Sequence, residues 1–161
     1  GKLVELRSKY MPGSKAEAAA TVLGVGRAAY EYAFNYAKNR KQGGKLIIDH
    51  QAVSLMLAKM IMLLDGARLQ IWKAAWLADK SDPDAKIQGL ISKVRASEAA
   101  FEVCTLATEI LGGAGIMYDH PVEKYLRDSI SFLHSDGTNQ VCSFRVTKAL
   151  TSEDNSKIYG F

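Results

Sequence analysis

Asp136 stands between Ser135 and Gly137, directly before Thr138-Asn139-Gln140, and is the residue of this chain best placed to take a proton. A carboxylate at a break between two helices can serve as a general base. Covering by a ligand strengthens such a base, and a following helix N-terminus weakens it. The same Asp-Gly-Thr pattern is common where an aspartate caps a helix, and on local sequence alone the cap is the expected role of Asp136. Upstream, Gly112-Gly113-Ala114-Gly115 closes a helical run. Clustered glycines let another backbone or a ligand come close, and they equally make a helix stop with a tight turn. They follow a helix and not a strand, which excludes a Rossmann-type phosphate loop.

Other residues could bind. Arg40-Lys41-Gln42 ends the first helical run. Cations suit that negative end, and an arginine fork can hold a pyrophosphate. His50-Gln51 opens the next run, where a polar side chain and free N–H groups could reach a cofactor. His50, His120 and His134 lack the spacing of a zinc site, and no metal is expected. Arg127-Asp128 is expected to form ion pairs with the ends of neighbouring helices.

Four helical units must position these groups. Ser14 with Glu17 reads as a capping box after the breaker Met11-Pro12-Gly13. From Lys15 to about Arg40, Val22, Val25, Ala29, Ala33, Tyr36 and Ala37 recur at helical spacing. Gln42-Gly43-Gly44-Lys45 stops that helix, and Asp49 is a plausible cap for a second, from about His50 to Lys80. Val53, Leu57, Met60, Leu64, Ala67, Leu69, Trp72 and Trp76 line much of it. The polar Asp79 to Asp84 segment must turn at Pro83. A third helix spans about Asp84 to Leu111, with Ile87, Leu90, Val94, Ser97, Phe101, Cys104 and Ala107 on one side. The fourth unit is split: a short helix follows Pro121, and the last runs from about Thr138 to Leu150. No period-two alternation marks a strand, and no internal repeat is visible. The fold class is therefore all-α, an antiparallel up-down four-helix bundle over 14–150. Residues 1–13 read as an extension or linker remnant, and 151–161 as a tail whose Ile158, Tyr159 and Phe161 could dock on a neighbour.

Hydrophobic residues make up 48% of the 161, ample for one core. The net charge of +4 is spread among interleaved acids and bases, which argues against nucleic-acid binding. Cys104 and Cys142 sit in apolar helical contexts and read as reduced core thiols of an intracellular protein. No uninterrupted apolar run of ~18 residues indicates a membrane span. The start at Gly1 without a methionine suggests a piece of a longer chain.

Taken in order, the motifs resemble the C-terminal helical domain of flavin-dependent acyl-CoA dehydrogenases. The likeness covers about residues 14–150. It is carried by Ala28-Ala29-Tyr30-Glu31-Tyr32-Ala33, Arg40-Lys41-Gln42-x-Gly44-Lys45, His50-Gln51-Ala52, Ala67-Arg68, Ala74-Ala75-Trp76 and Lys93 with Ser97-Glu98-Ala99-Ala100. It continues through Ile110-Leu111-Gly112-Gly113-x-Gly115, Tyr118, Pro121-Val122-Glu123-Lys124, Arg127-Asp128 and Gly137-Thr138-Asn139-Gln140.

The resemblance implies a bundle that joins a helical N-terminal domain and a middle β domain, with FAD bound between the latter and the bundle. It implies α,β-dehydrogenation of an acyl-CoA thioester: a carboxylate takes the α-proton and the β-hydrogen leaves as hydride to the flavin. By position, Asp136 is the implied base, flanked by Ser135 and Gly137 on the substrate side. Arg40 and Gln42 match the segment reaching FAD phosphate and ribose, and Gln51 a residue near adenine. Glu109, Gly112 and Gly113 match a segment touching FAD held mainly by a partner subunit. Thr138 and Gln140 fall at the diphosphate and adenosine. A homo-oligomer, dimer or tetramer, follows. So do electron-transfer flavoprotein or another electron acceptor as partner, and a cytoplasmic or mitochondrial-matrix setting. The isolated bundle is expected to be inactive, because the reacting geometry needs both walls.

The departures from the pattern bear on chemistry. Aspartate replaces the usual glutamate at 136 and is one methylene shorter; nitroalkane-oxidising relatives use aspartate. Ser135 replaces an aromatic, Gly43 replaces the aromatic of Arg-Lys-x-Phe-Gly, Glu109 replaces glutamine, and Lys15 lies where many members have arginine. Two rival readings follow: a nitroalkane oxidase-like flavoenzyme, or a non-catalytic bundle that only mediates oligomerisation.

Overall fold

The computed structural model describes residues 1–151, the side chains of 4–12 excepted. The tail residues Ile158, Tyr159 and Phe161 lie outside that range. Helix α1 spans Lys2–Asn39, α2 Gln51–Asp79, α3 Ala85–Leu111, α4 Val122–His134 and α5 Asn139–Leu150. Two clusters of buried residues give the helix directions. One holds Ala19 and Val22 of α1, Ala67 and Ile71 of α2, and Ala96 to Ala100 of α3. The other holds Ala29 to Ala37, Leu57 to Leu64, and Val103 to Leu111. Numbers rise together along α1 and α3 and fall along α2, so the chain runs up, down, up. Val122 at the start of α4 joins the second cluster and Phe132 near its end packs on the first, which returns the chain downward. The four-helix bundle with a split fourth unit is the observed architecture.

Helix α3 is the centre. It contacts α1, α2, α4 and α5, and most of its side chains are buried. It is long and apolar enough by composition to cross a membrane; here that apolar surface is the middle of the bundle. Small residues let α1 approach it closely. A Cβ built on Gly26 would lie 3.1 Å from both the Ala100 Cα and a Leu64 methyl. Gly26→Val should therefore cost about 2–3 kcal/mol through overpacking, despite a better helix propensity. An unchanged urea midpoint for that variant would mean the seam has slack that this packing denies.

Several sequence expectations are corrected. Helix α1 starts at Lys2, so Ser14 lies within it and does not cap it. Its neighbours Lys15, Ala16 and Ala19 are buried, and docking on α3 outweighs the local capping box. Gly43 and Gly44 do not end α1, which stops at Asn39 with Arg40 as cap. They form the turn of a small hairpin, Lys41–Gln42 against Lys45–Leu46, with φ of 60° and 82°. Paired positive φ values suit a two-residue hairpin turn, which glycine adopts freely. These strands of two residues are too short to show period-two alternation. Asp49 closes a 3₁₀ turn, and His50 is the residue before α2. Trp72 and Trp76, expected in the core or at an interface, face outward, as does Leu69, and Val25 is only half-buried. Arg127 and Asp128 pair along α4 itself, Arg127 with Glu123 at 2.8 Å and Asp128 with Lys124. The four-residue spacing puts those partners one turn away. The Glu123 hydrogen bond and charge raise the Arg127 pKa further.

Candidate functional site

The Asp136 loop is built by groups outside it. Helix α4 ends at His134, and Ser135 caps it by donating its backbone N–H to Ser131 O at 2.8 Å. Helix α5 begins at Asn139, and its cap is Thr138, whose Oγ1 accepts the Val141 N–H at 3.2 Å. Asp136 is therefore not the cap expected from local sequence. It lies two residues earlier, with φ of 54°, and Gly137 follows at 91°. The left-handed region costs a non-glycine residue about 1–2 kcal/mol, with aspartate among the more tolerant types.

Two buried lysines hold that conformation. Lys15 on α1 is 5% exposed. Its Nζ lies 2.8 Å from Asp136 Oδ2 and also donates to the Asp136 carbonyl. Lys93 on α3 is 1% exposed, and its Nζ donates to the Gly137 carbonyl and to Asn139 Oδ1, each at 2.8 Å. Asn139 is bound in turn to Ser97 at 3.0 and 3.1 Å. Desolvation lowers the Lys93 pKa below the usual 10.5. Charge-assisted bonds of this kind are roughly twice as strong as neutral ones. They offset the backbone strain and leave Asp136 Oδ1 without a partner among the described residues. That oxygen is free to accept a proton.

Neither lysine was predicted as part of the site. The signal was present: Lys15 shares a buried stripe with Ala19, Val22, Gly26, Ala29, Ala33 and Ala37. A lysine on such a stripe has to find hydrogen-bond acceptors. Lys93 stands in the same relation to Ala96, Ala100 and Val103 on α3.

The other predicted site residues divide into two groups at opposite ends of the bundle. Ser135, Gly137, Thr138 and Gln140 surround Asp136. Ser135, Gly137 and Gln140 are exposed, and Thr138 is half-buried. Gln140 also lines an open cleft of about 500 Å³ with Phe101, Leu133 and His134. Arg40, Gln42, Gln51, Glu109, Gly112 and Gly113, all exposed, lie at the far end. Roughly 37 Å of helix separates Lys15 from Arg40 at 1.5 Å per residue, further than one flavin dinucleotide reaches.

The far end is organised around the hairpin. His50 Nε2 donates to the Gln42 carbonyl at 3.0 Å, tying the turn to α2. Gly112 ends α3 with φ of 59°. A Cβ on Gly115 would fall 2.6 Å from the Thr108 carbonyl, so the 3₁₀ turn Gly112–Ile116 that follows α3 folds back on it there. Gly113 differs: nothing lies within 4 Å of an added Cβ, so its bare backbone faces open space. Nearby, His120 shares a hydrogen bond of 2.7 Å with the Tyr32 hydroxyl and meets Tyr36 edge-on, a structural clamp on α1. Cys104 and Cys142 are free and buried, and burial pushes the Cys104 thiol up to about 11.

The residues present fit a flavin dinucleotide. The Arg40 guanidinium has no acidic partner among the described residues. The Thr138 O–H can still donate, and the first N–H groups of α5 point past its start, as anion sites require. Glu109 is the exception, an exposed carboxylate that a phosphate would repel.

Comparison with known proteins agrees with the fold. The pattern defining the acyl-CoA dehydrogenase C-terminal domain matches residues 9–151. A protein of Mycobacterium tuberculosis named a probable acyl-CoA dehydrogenase is 40% identical over 131 residues, covering 81% of this chain and 34% of the relative. Butyryl-CoA dehydrogenase from Megasphaera elsdenii superposes with a TM-score of 0.85 at 34% identity, over 88% of this chain and 37% of that one. Nitroalkane oxidase crystallised with 1-nitrooctane superposes with a TM-score of 0.89 at 25% identity, over 99% of this chain and 39% of that one. The chain spans about a third of the length of the curated relatives it matches. With its bundle architecture and the match from end to end of that bundle, the chain belongs to the acyl-CoA dehydrogenase family, as its C-terminal domain.

Proposed function

We propose that the protein carrying this chain is an FAD-dependent acyl-CoA dehydrogenase-like oxidoreductase, with Asp136 as the base that takes the α-proton of an acyl-CoA thioester. The observation that carries this reading is the Asp136 carboxylate itself, with Oδ2 fixed by Lys15 and Oδ1 without a partner among the described residues. Bound FAD would supply the acceptor for the β-hydrogen as hydride. Thr138 and Gln140, on the base loop, and Arg40, Gln42 and Gln51, at the far end, are the residues proposed to hold FAD, the two sets on different flavins because one dinucleotide does not span the distance between them. Removing an α-proton needs a carboxylate fixed within about 3 Å of it, and the two lysines supply that fixation. A second domain must cover the loop, exclude water and polarise the thioester carbonyl. An electron-transfer flavoprotein is the proposed acceptor of the reducing equivalents.

The test is made on the whole protein with flavin bound. Bleaching of its yellow colour by a saturated acyl-CoA, and not by a nitroalkane, is the expected result; the reverse selects the nitroalkane oxidase-like reading. That second reading is favoured by the shorter acid at 136 and by the overlap of nearly the whole chain with nitroalkane oxidase. Failure of both substrates, with no flavin bound, would leave the bundle as an oligomerisation module.

The separation of the binding groups supports a shared site, with Glu109, Gly112 and Gly113 approaching a flavin held mainly by a second subunit. Helix α2 supports a homo-oligomer, a dimer or tetramer, from another side. Leu55, Met62, Leu69 and Trp76 recur every seven residues on its outer face, and Trp72 stands beside them, all more than half exposed. A helix apolar on both sides is normally covered on both. In the whole protein, joint Trp72→Glu and Trp76→Glu substitution should shift sedimentation toward a smaller species. An unchanged sedimentation coefficient would mean that a segment of the same subunit covers this face.

A further inference from the structure

Two successive carbonyls of the base loop, those of Asp136 and Gly137, each end on a buried lysine ammonium. The lysines come from different helices and have different reach. Lys15 touches the carboxylate as well as the backbone. Among the described residues Lys93 touches no carboxylate; its bonds go to the Gly137 carbonyl and to Asn139 Oδ1. Asn139 opens α5 and is locked by Ser97 one turn along α3 from Lys93. The Lys93 ammonium thus joins the residue after the base to the first residue of the following helix. Without it, the Gly137 carbonyl would keep, among the described residues, only the weak thiol contact from Cys142 Sγ at 3.7 Å to hold it turned inward.

We propose that Lys93 is a positioning residue for proton abstraction: by fixing Gly137 and Asn139, it holds the left-handed turn that aims the Asp136 carboxylate at its proton. This rests on the reading of Asp136 as the base. A buried ammonium is costly to keep unless its acceptors are in place, so the bonded arrangement of the loop is strongly favoured over others. A loop free to relax by about an ångström loses roughly a hundredfold in rate, since reacting atoms must be held in near-attack geometry.

The test measures exchange of the α-protons of butyryl-CoA, or of octanoyl-CoA if wild type favours a longer chain, with D2O. It is made on the whole protein with flavin bound and read by NMR, with flavin content scored separately. Lys93→Met should lower the maximal exchange rate about a hundredfold, with the substrate concentration for half-maximal rate and the flavin content near wild type. Exchange near the wild-type rate overturns the inference. So does a loss of flavin content in parallel with exchange, since that marks a scaffold role only. Should Lys93→Met not fold, Asn139→Ala decides. A roughly tenfold slower exchange with flavin retained supports the inference, and an unchanged rate overturns it. Asp136→Asn separates the two failures: exchange retained in that variant sinks the base assignment itself, whereas exchange lost there but kept in Lys93→Met sinks only the role of Lys93.

Discussion

Asp136→Asn should slow bleaching of the bound flavin by an acyl-CoA about a thousandfold or more, within the range a general base contributes, while leaving flavin content unchanged. The amide keeps the size of the carboxylate and an oxygen that can still accept from Lys15, so the loop should stay as it is. What disappears is the free Oδ1, which has no partner among the described residues and is the only atom of the loop suited to hold an abstracted proton. Stopped-flow absorbance in anaerobic buffer measures the rate, and a variant that bleaches as fast as wild type rules Asp136 out as the base. Asp136→Glu tests reach. The longer acid should retain or raise turnover of acyl-CoA, and complete loss would point to a pocket shaped around the shorter side chain.

Lys15→Met should be the most damaging change that leaves the acid itself in place. Removing one member of a buried ion pair typically costs 3–5 kcal/mol. The Asp136 side chain is 38% exposed, so solvent screens part of that, and a loss of about 2 kcal/mol in folding stability is expected. The larger effect falls on the reaction. The ammonium holds both the carboxylate and the carbonyl of the same residue, and its loss frees the base to turn away. Turnover should fall roughly a hundredfold, with flavin content unchanged, since Lys15 is not among the residues proposed to hold the cofactor. Turnover within a few-fold of wild type would show that the covering domain, and not α1, orients the acid.

Much of the fold was legible because apolar periodicity is a strong signal in long helices. The bounds expected for α2, α3 and α5 agree with the structure within a residue or two. Local grammar was the weaker guide. Ser14 and Glu17 spell a capping box, yet α1 runs through them, with Lys15, Ala16 and Ala19 buried against the bundle. Asp136 reads as the cap of the last helix, yet Thr138 is the residue that caps it. The position of the acid was visible in sequence, but its environment was not. Its partners are 121 residues away on α1 and, for the adjoining carbonyl, 44 residues away on α3. A lysine among alanines on a buried stripe announces that it needs acceptors, but not which ones. The hairpin at Gly43-Gly44 was missed for a related reason: each of its strands is two residues long, and two residues carry no period.

The loop between α4 and α5 is shaped from outside, by ammonium groups rooted in other helices. Much of the task of folding it is thereby moved off its own residues, with Gly137 and the Thr138 cap still required. Evolution can exchange the acid for a longer or shorter one, or trade Ser135 for something bulkier, without having to reinvent the turn. A scaffold organised in that way is a ready socket for different acids, and new specificity can arise there by replacing what is plugged in.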